Sequence, residues 1–229
     1  MESASLLSIR NVSNAYTDRK HGVFGAIDEK PVLNKVNLEM QKGEIFGLTG
    51  KSGCGKSTLA RCILELIDYE GEILFCGKKN SQTHEIQMVF QDPGASLNPV
   101  KKIGWLMEEP LVIHRTGGAK ERTQSVDEML HRVGLDPSYK TRGIHELSGG
   151  QKQRVCIGRA LILKPYLLIA DEAISSLDVS AGAQILNLFR ELHESLKLDI
   201  LFISHNKDAV DYLCGRKAVM EKGQVTEII

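Results

Sequence analysis

The sequence predicts an α/β protein: a parallel sheet covered by helices on both faces, with an antiparallel β layer near the N-terminus and a helical insertion in its middle. Three observations carry this. The apolar runs LLIA (167–170) and ILFIS (200–204) flank a stripe of Ile185, Phe189, Leu192 and Leu196 at helical spacing, and strands buried on both faces read as unbroken apolar runs. Val36, Leu38 and Met40 alternate with Asn37 and Glu39, the period of a strand with one wet face. Residues 98–163 lack good strands and carry helical stripes such as Val126, Met129, Leu130 and Val133.

Taken in order, the first strands are interrupted by DRKHGVFGAIDEKP (18–31), whose charge, Gly and Pro predict a loop inserted between them. IFGLT (45–49) then predicts a buried strand. The glycine-rich run GKSGCGKST (50–58) follows, and after it a helix with Leu59, Ile63 and Leu66 on one face. Ile86, Met88, Val89 and Phe90 lead into Gln91. The segment from Ser148 has no helix breaker after Gly150, so it should be a helix whose N-terminal amides point outward.

The chain has 229 residues, 42% hydrophobic and 25% charged, which is ordinary for one soluble globular domain. Lys+Arg and Asp+Glu both total 29, so no overall attraction to nucleic acid or anionic lipid is expected. Cys54, Cys62, Cys76, Cys156 and Cys214 are widely spaced, without CxxC, and read as reduced cytosolic thiols. The start MESASLLSIR has no leader pattern, and the most apolar stretch, ALILKPYLLIA, is cut by Lys164 and Pro165. The expectation is a chain that does not cross a membrane by itself.

The run at 50–58 satisfies GxxxxGK[ST] between a predicted strand and helix, the context this motif requires. Gly50, Gly53 and Gly55 let successive amides of Gly50, Lys51, Ser52, Gly53, Cys54 and Gly55 turn toward a polyphosphate at the positive end of the helix. In that chemistry Lys56 reaches the β and γ phosphates, Ser57 supplies a hydroxyl to Mg²⁺, and Thr58 bonds the α phosphate. Asp171 ends the apolar run at 167–170, placed to reach Mg²⁺ through its water shell. Glu172 follows, placed to orient or deprotonate the attacking water. ATP and Mg²⁺ are the expected ligands. The thiol of Cys54 is read as incidental, because residues at that position contribute backbone amides.

LSGGQ (147–151), together with the phosphate loop and the acidic pair, resembles the ATP-binding subunits of ABC transporters over essentially the whole chain. The resemblance implies a P-loop NTPase fold, an ABC-type nucleotide-binding domain spanning 1–229. Its β layer and RecA-like core would take 1–97 and 164–229, and its α-helical insertion 98–163. It implies that Gln91 is the Q-loop glutamine, a ligand of Mg²⁺ and of the attacking water. Ser148, Gly149, Gly150 and Gln151 form the signature that closes over the γ phosphate of an opposite protomer. Ser176, Leu177 and Asp178 form the D-loop, His205 is the switch histidine, and Tyr16 stacks on adenine, with Phe24 a competitor for that face. A lone His or Gln is usually solvent-facing; these two gain weight from the strands they follow.

The resemblance departs at Ala173, where Pro is common and whose absence should leave the backbone freer, and at Lys51, where an acid is often found. SLNPVKKIGWLMEEPL (96–111) and the GVFG insertion resemble the subfamily serving importers of oligopeptides, dipeptides, nickel and metal chelates. Implied partners are two transmembrane permease subunits at the cytoplasmic face of the membrane, a second ABC ATPase chain, identical or paralogous, and indirectly an extracytoplasmic solute-binding protein. Trp105 or Met107 could line a permease groove, or be core. The alternative, a non-transport ABC ATPase acting on nucleic acid or ribosomes, fits poorly. No long coiled coil separates loop and signature, and there is one such domain. The chain also stops soon after EKGQVTEII, earlier than many relatives.

Overall fold

The computed structural model describes residues 5–19, 27–79 and 84–229, with backbone alone for 16–19 and 27–29. In chain order the elements are β1 (Ser5–Arg19), β2 (Ile27–Gln41), β3 (Ile45–Thr49), α1 (Lys56–Ile63), β4 (Glu70–Phe75), β5 (Ile86–Val89), α2 (Pro93–Ser96), α3 (Ile103–Ile113) and α4 (Ala119–Arg132). Two 3-10 turns (Pro137–Thr141 and Ile144–Glu146) follow, then α5 (Gly149–Leu161), β6 (Leu167–Asp171), α6 (Val179–Leu196), β7 (Asp199–Ser204), α7 (Lys207–Leu213), β8 (Arg216–Glu221) and β9 (Gln224–Ile228). They form two compact units, Met1–Gln82 with Leu201–Ile229, and Thr83–Ile200.

In the first unit an antiparallel sheet has the order β2-β1-β4. Ile9 of β1 lies opposite Leu38 on one side and Ile73 on the other, and Leu7, Val12, Val36, Leu38 and Met40 are buried, as the alternation predicts. The loop expected over 18–31 is corrected at its two ends, where 18–19 and 27–31 are strand, while 20–26 lie outside the described residues. β1 and β2 keep pairing beyond the core, with Ala15↔Pro31, Asp18↔Asp28 and Arg19↔Ile27. A backbone ladder needs no buried face, and Pro31 sits beside the register shift between Asn14 and Ala15, where a missing N–H is tolerated. Phe24 and the GVFG motif lie outside the described residues.

Four strands of the same unit are ordered β7-β3-β8-β9. All five residues of β3 are buried, and β3 runs parallel to β8 from Phe46↔Arg216 to Thr49↔Val219. Helix α1 is shorter than its periodicity suggested. It stops at Ile63, and Glu65 at φ 55° turns the chain left-handed, so Leu66 is 59% exposed rather than on the buried face. The hairpin β8–β9 is absent from the expectations above. Its turn, Lys222-Gly223, has φ 46° and 78°, the paired positive values of a tight hairpin. Gly223 N–H donates to Cys54 O (3.0 Å), and Asn34 N–H donates to Gly223 O (2.9 Å), which ties the turn to the glycine-rich loop and to β2.

In the second unit β5 and β6 are parallel, from Ile86↔Leu167 to Val89↔Ala170, and β6 is wholly buried. Val126, Met129, Leu130 and Val133 are buried where α4 meets its neighbours, as are Ile185, Phe189 and Leu192 of α6. Met107 is core: its Cε lies 2.8 Å from where a Cβ on Gly158 would fall, so α3 and α5 touch because that residue is glycine. Trp105 is 42% exposed beneath the Lys101 ammonium. No described helix is long and apolar enough to cross a membrane.

All five cysteines are free. Burial pushes the Cys62 thiol up to about 11 and those of Cys156 and Cys214 up to about 12, so these three stay protonated well past neutral pH and react poorly as nucleophiles. Only Cys76 is exposed. Iodoacetamide at pH 8 is therefore expected to modify Cys76 first, with Cys62, Cys156 and Cys214 reacting only after unfolding, as mass spectrometry of peptides would read out. Since these folded-state values lie above the usual thiol value, their contribution to stability is present below about pH 8.5 and fades as pH rises toward them.

Candidate functional site

The glycine-rich loop leaves the buried end of β3 and returns into α1. Gly50, Gly53 and Gly55 have φ 154°, 78° and 110°, and a Cβ on Gly50 would fall 2.2 Å from Met220 O. Both space and backbone therefore demand glycine at 50. Gly55 is the N-cap of α1 and no side chain caps that helix, so its first-turn N–H groups are available to a ligand. Lys56, 5% exposed, arcs back over the loop, its Nζ donating to Gly50 O (2.8 Å) and Lys51 O (3.2 Å). Both acceptors are neutral, so the loop presents a held positive charge beside the uncapped first-turn amides of α1, which fits a polyphosphate. The Cys54 N–H, expected to turn to the phosphates, donates instead to Lys51 O (3.2 Å). Ser57 is half-buried and Thr58 buried, while Lys51, Ser52 and Gly53 are exposed. The Cys54 sulfur lies under the loop, 3.9 Å from Lys56 Nζ. His205, exposed, follows the buried Ser204 that ends β7, the strand beside β3.

In the second unit Asp171 closes β6 and is 6% exposed, and Glu172, 7% exposed, stands in the left-handed region at φ 51°. Such a conformation costs about 1–3 kcal/mol in a non-glycine residue and persists only when its surroundings impose it. Ser175 imposes it, donating to Glu172 O from both its N–H (3.0 Å) and its Oγ (2.8 Å). Gln91 is exposed and lies two residues beyond β5, whose Val89 is level with Ala170. Gln91, Asp171 and Glu172 therefore leave the same carboxyl edge of one parallel strand pair, the edge at which such sheets present groups to ligands.

The LSGGQ segment is a helix start. Ser148 is the N-cap of α5, its Oγ accepting from Gln151 N–H (3.3 Å), while Gln151 Oε1 accepts from Ser148 N–H (3.0 Å). This is a capping box, legible as S-x-x-Q. Asp178 caps α6 in the same way, accepting from Ala181 N–H at 2.8 Å. A Cβ on Gly149 would stand 3.3 Å from Leu177 and one on Gly150 3.3 Å from Ala181, so glycine lets the two helix starts approach. Both open on one hollow of about 480 Å³ lined by Ser148, Gly150, Gln151, Tyr139, Asp178 and Ala181. The α5 start, capped by the neutral Ser148, brings a positive helix end to the hollow and Arg154 borders it. The α6 end is matched by its own Asp178, and Asp136 also lines the wall. Sequence reasoning missed Tyr139 and Arg154, which also borders the hollow and is held by Val133 O (2.7 Å).

Gly50 to Thr58 and His205 thus belong to one unit, and Gln91, Ser148, Gly149, Gly150, Gln151, Asp171, Glu172 and Asp178 to the other. Tyr16 pairs with Lys30 across the ribbon, and its ring lies outside the described residues. Among the described residues no cluster of His, Cys, Asp and Glu forms a metal site by itself. The Ser57 hydroxyl of the first unit and the Asp171 carboxylate of the second are each hard oxygen donors, the kind that Mg²⁺ takes alongside water and phosphate.

The fold and the loop define a nucleotide-binding α/β domain. The ABC transporter family model matches residues 33–175. The oligopeptide transport ATP-binding protein AppF of Bacillus subtilis is 42% identical, over 98% of this chain and 71% of that protein. The dipeptide transport ATP-binding protein DppF of Haemophilus influenzae is 40% identical, over 99% of this chain and 72% of its own. The glutathione import ATP-binding protein GsiA of Pectobacterium atrosepticum is 41% identical over 97% of this chain, which spans only 37% of GsiA. Among solved structures, cbiO1 of Clostridium perfringens, part of the ABC transporter complex cbiONQ, superposes with a TM-score of 0.85 at 27% identity, over 98% of this chain and 88% of cbiO1. The dimeric, post-hydrolysis structure of the ATP-binding cassette MJ0796 with ADP and Pi gives 0.83 at 28% identity, over 97% of each chain. The chain belongs to the ABC transporter family and is an ATPase of that family.

Proposed function

We propose that this chain is the ATP-binding and ATP-hydrolysing subunit of an importer, energising peptide uptake through two partner permease subunits at the cytoplasmic face of the membrane. The observation that carries the ATPase reading is the pair of anion grips: the uncapped α1 start with Lys56, and the hollow shared by the α5 and α6 starts. In this reading the second grip takes the nucleotide of a second ATPase chain, identical or paralogous. Lys56 and the loop amides hold the phosphates, Ser57 and Asp171 hold Mg²⁺ with Gln91, and Glu172 accepts the proton of the attacking water. His205 contacts the γ phosphate, and Tyr16 stacks on adenine. When bound, Mg²⁺ supplies charge neutralisation at the phosphate oxygens. In this reading the chain works as one domain, 1–229, with 98–163 as its helical insertion.

The relatives' names specify oligopeptide transport, dipeptide transport and glutathione import, which favours peptide cargo over nickel or metal chelates. Nothing supports the nucleic-acid or ribosome alternative. A solute-binding protein outside the membrane would select the cargo. The test is reconstitution of the chain with its co-purifying membrane subunits. Hydrolysis stimulated by peptide-loaded binding protein is expected. Stimulation by nickel or a metal chelate alone overturns the cargo, and co-purification with nucleic acid or ribosomes instead of permease subunits overturns the transport reading.

A further inference from the structure

We propose that Tyr139 is a positioning residue for the glycine turn at 148–150, acting through Gln151. The inference rests on the shared-site reading above and adds to it a residue outside LSGGQ.

Tyr139 sits in the 3-10 turn Pro137–Thr141, which is anchored on several sides. Asp136 Oδ1 accepts from Ser138 N–H (2.8 Å), and Arg142 N–H donates to Tyr139 O (3.0 Å). The Arg142 guanidinium lies 3.8 Å from the Tyr139 ring centroid, a favourable cation–π stack. The adjacent Lys140 pairs with Asp127 of α4 at 2.5 Å, and its Cβ stands 3.1 Å from where a Cβ on Gly104 of α3 would fall. The hydroxyl is therefore a fixed point with respect to α3 and α4.

Gln151 is held between that point and the turn. Its Nε2 donates to the Tyr139 hydroxyl (3.0 Å), and its Oε1 accepts from Ser148 N–H (3.0 Å). A side-chain amide has one accepting end and one donating end, and a flipped Gln151 would set N–H against the Ser148 N–H. Ser148 N–H, which can only donate, selects the orientation in which Oε1 closes the cap, and Tyr139, accepting from Nε2, holds the far end of the same amide in place. That cap sets Ser148 and the aim of the first α5 amides into the hollow. Having accepted from Gln151, the Tyr139 hydroxyl keeps its own proton to donate into the hollow that it lines.

The test compares the wild-type chain with Tyr139→Phe, Gln151→Ala and the double variant. Phe retains the ring beneath Arg142 and removes only the hydroxyl, so the melting temperature should hold. Tyr139→Phe is expected to lower kcat for ATP hydrolysis about three- to tenfold, as loss of one orienting hydrogen bond predicts, with KM for ATP little changed. Amide hydrogen exchange at 148–151 should quicken about tenfold, because the local opening is easier. The double variant should match Gln151→Ala alone, since both changes remove one link. Unchanged exchange and kcat in Tyr139→Phe, or penalties that multiply in the double variant, overturn the proposal. A wild-type chain that neither hydrolyses ATP nor dimerises with it overturns the shared-site reading instead, while the exchange measurement still decides Tyr139.

Discussion

Replacing Glu172 with Gln is expected to lower the rate of ATP hydrolysis by about 10²–10⁴-fold, the usual contribution of a positioned base, while leaving ATP binding intact. The substitution keeps the size and shape of the side chain, and the turn beneath it is set by Ser175 donating to the Glu172 carbonyl, which the change does not touch. The variant should therefore fold as the wild type does. Binding without hydrolysis removes the event that separates two chains, so light scattering with ATP should show a persistent dimer, formed alone or with the partner ATPase. Single-turnover hydrolysis within about tenfold of wild type would take the base role away from Glu172. Loss of the dimer with hydrolysis still abolished would count against the shared site.

Lys56→Ala is expected to have the next largest effect, on binding rather than on the chemical step. A charge-assisted hydrogen bond contributes about 1.5–3 kcal/mol, and Lys56 is the one buried lysine among the described residues, poised by two carbonyls of its own loop. Its loss should weaken ATP binding by about one to two orders of magnitude at 1.36 kcal/mol per decade, measurable with a fluorescent nucleotide analogue. The two carbonyls that it leaves behind lie at an open loop and can take water, so thermal stability should change little. Nucleotide affinity within about threefold of wild type would mean that the loop amides alone hold the phosphates.

Much of this molecule was legible because its strands are buried on both faces. Unbroken apolar runs placed β3, β6 and β7, and alternation placed β2, since in each case burial dictates residue type directly. The glycine-rich loop was equally legible, as positive φ and close approach leave glycine alone acceptable at Gly50. Elements whose shape is set by backbone geometry left weaker traces. The ribbon formed by the outer ends of β1 and β2 carries charge and proline because its pairing is a matter of main-chain bonds. The end of α1 was misjudged because Leu66 continues the helical period beyond a left-handed turn at Glu65. The β8–β9 hairpin had a signal in Lys222-Gly223 that went unused. Tyr139 had none, since its place beside Gln151 depends on how the 3-10 turn lies against α3 and α4.

The hairpin has a further consequence, in the timing of folding. Met220 O closes against Gly50, and Gly223 donates to Cys54, so the loop encoded near residue 50 is braced by residues encoded near 220. A nascent chain that has already exposed GKSGCGKST still lacks the floor of its own phosphate cradle. Competence to bind nucleotide thus waits for residues beyond 216 to emerge, and a ribosome stalled before residue 216 should present the complete motif without the pocket.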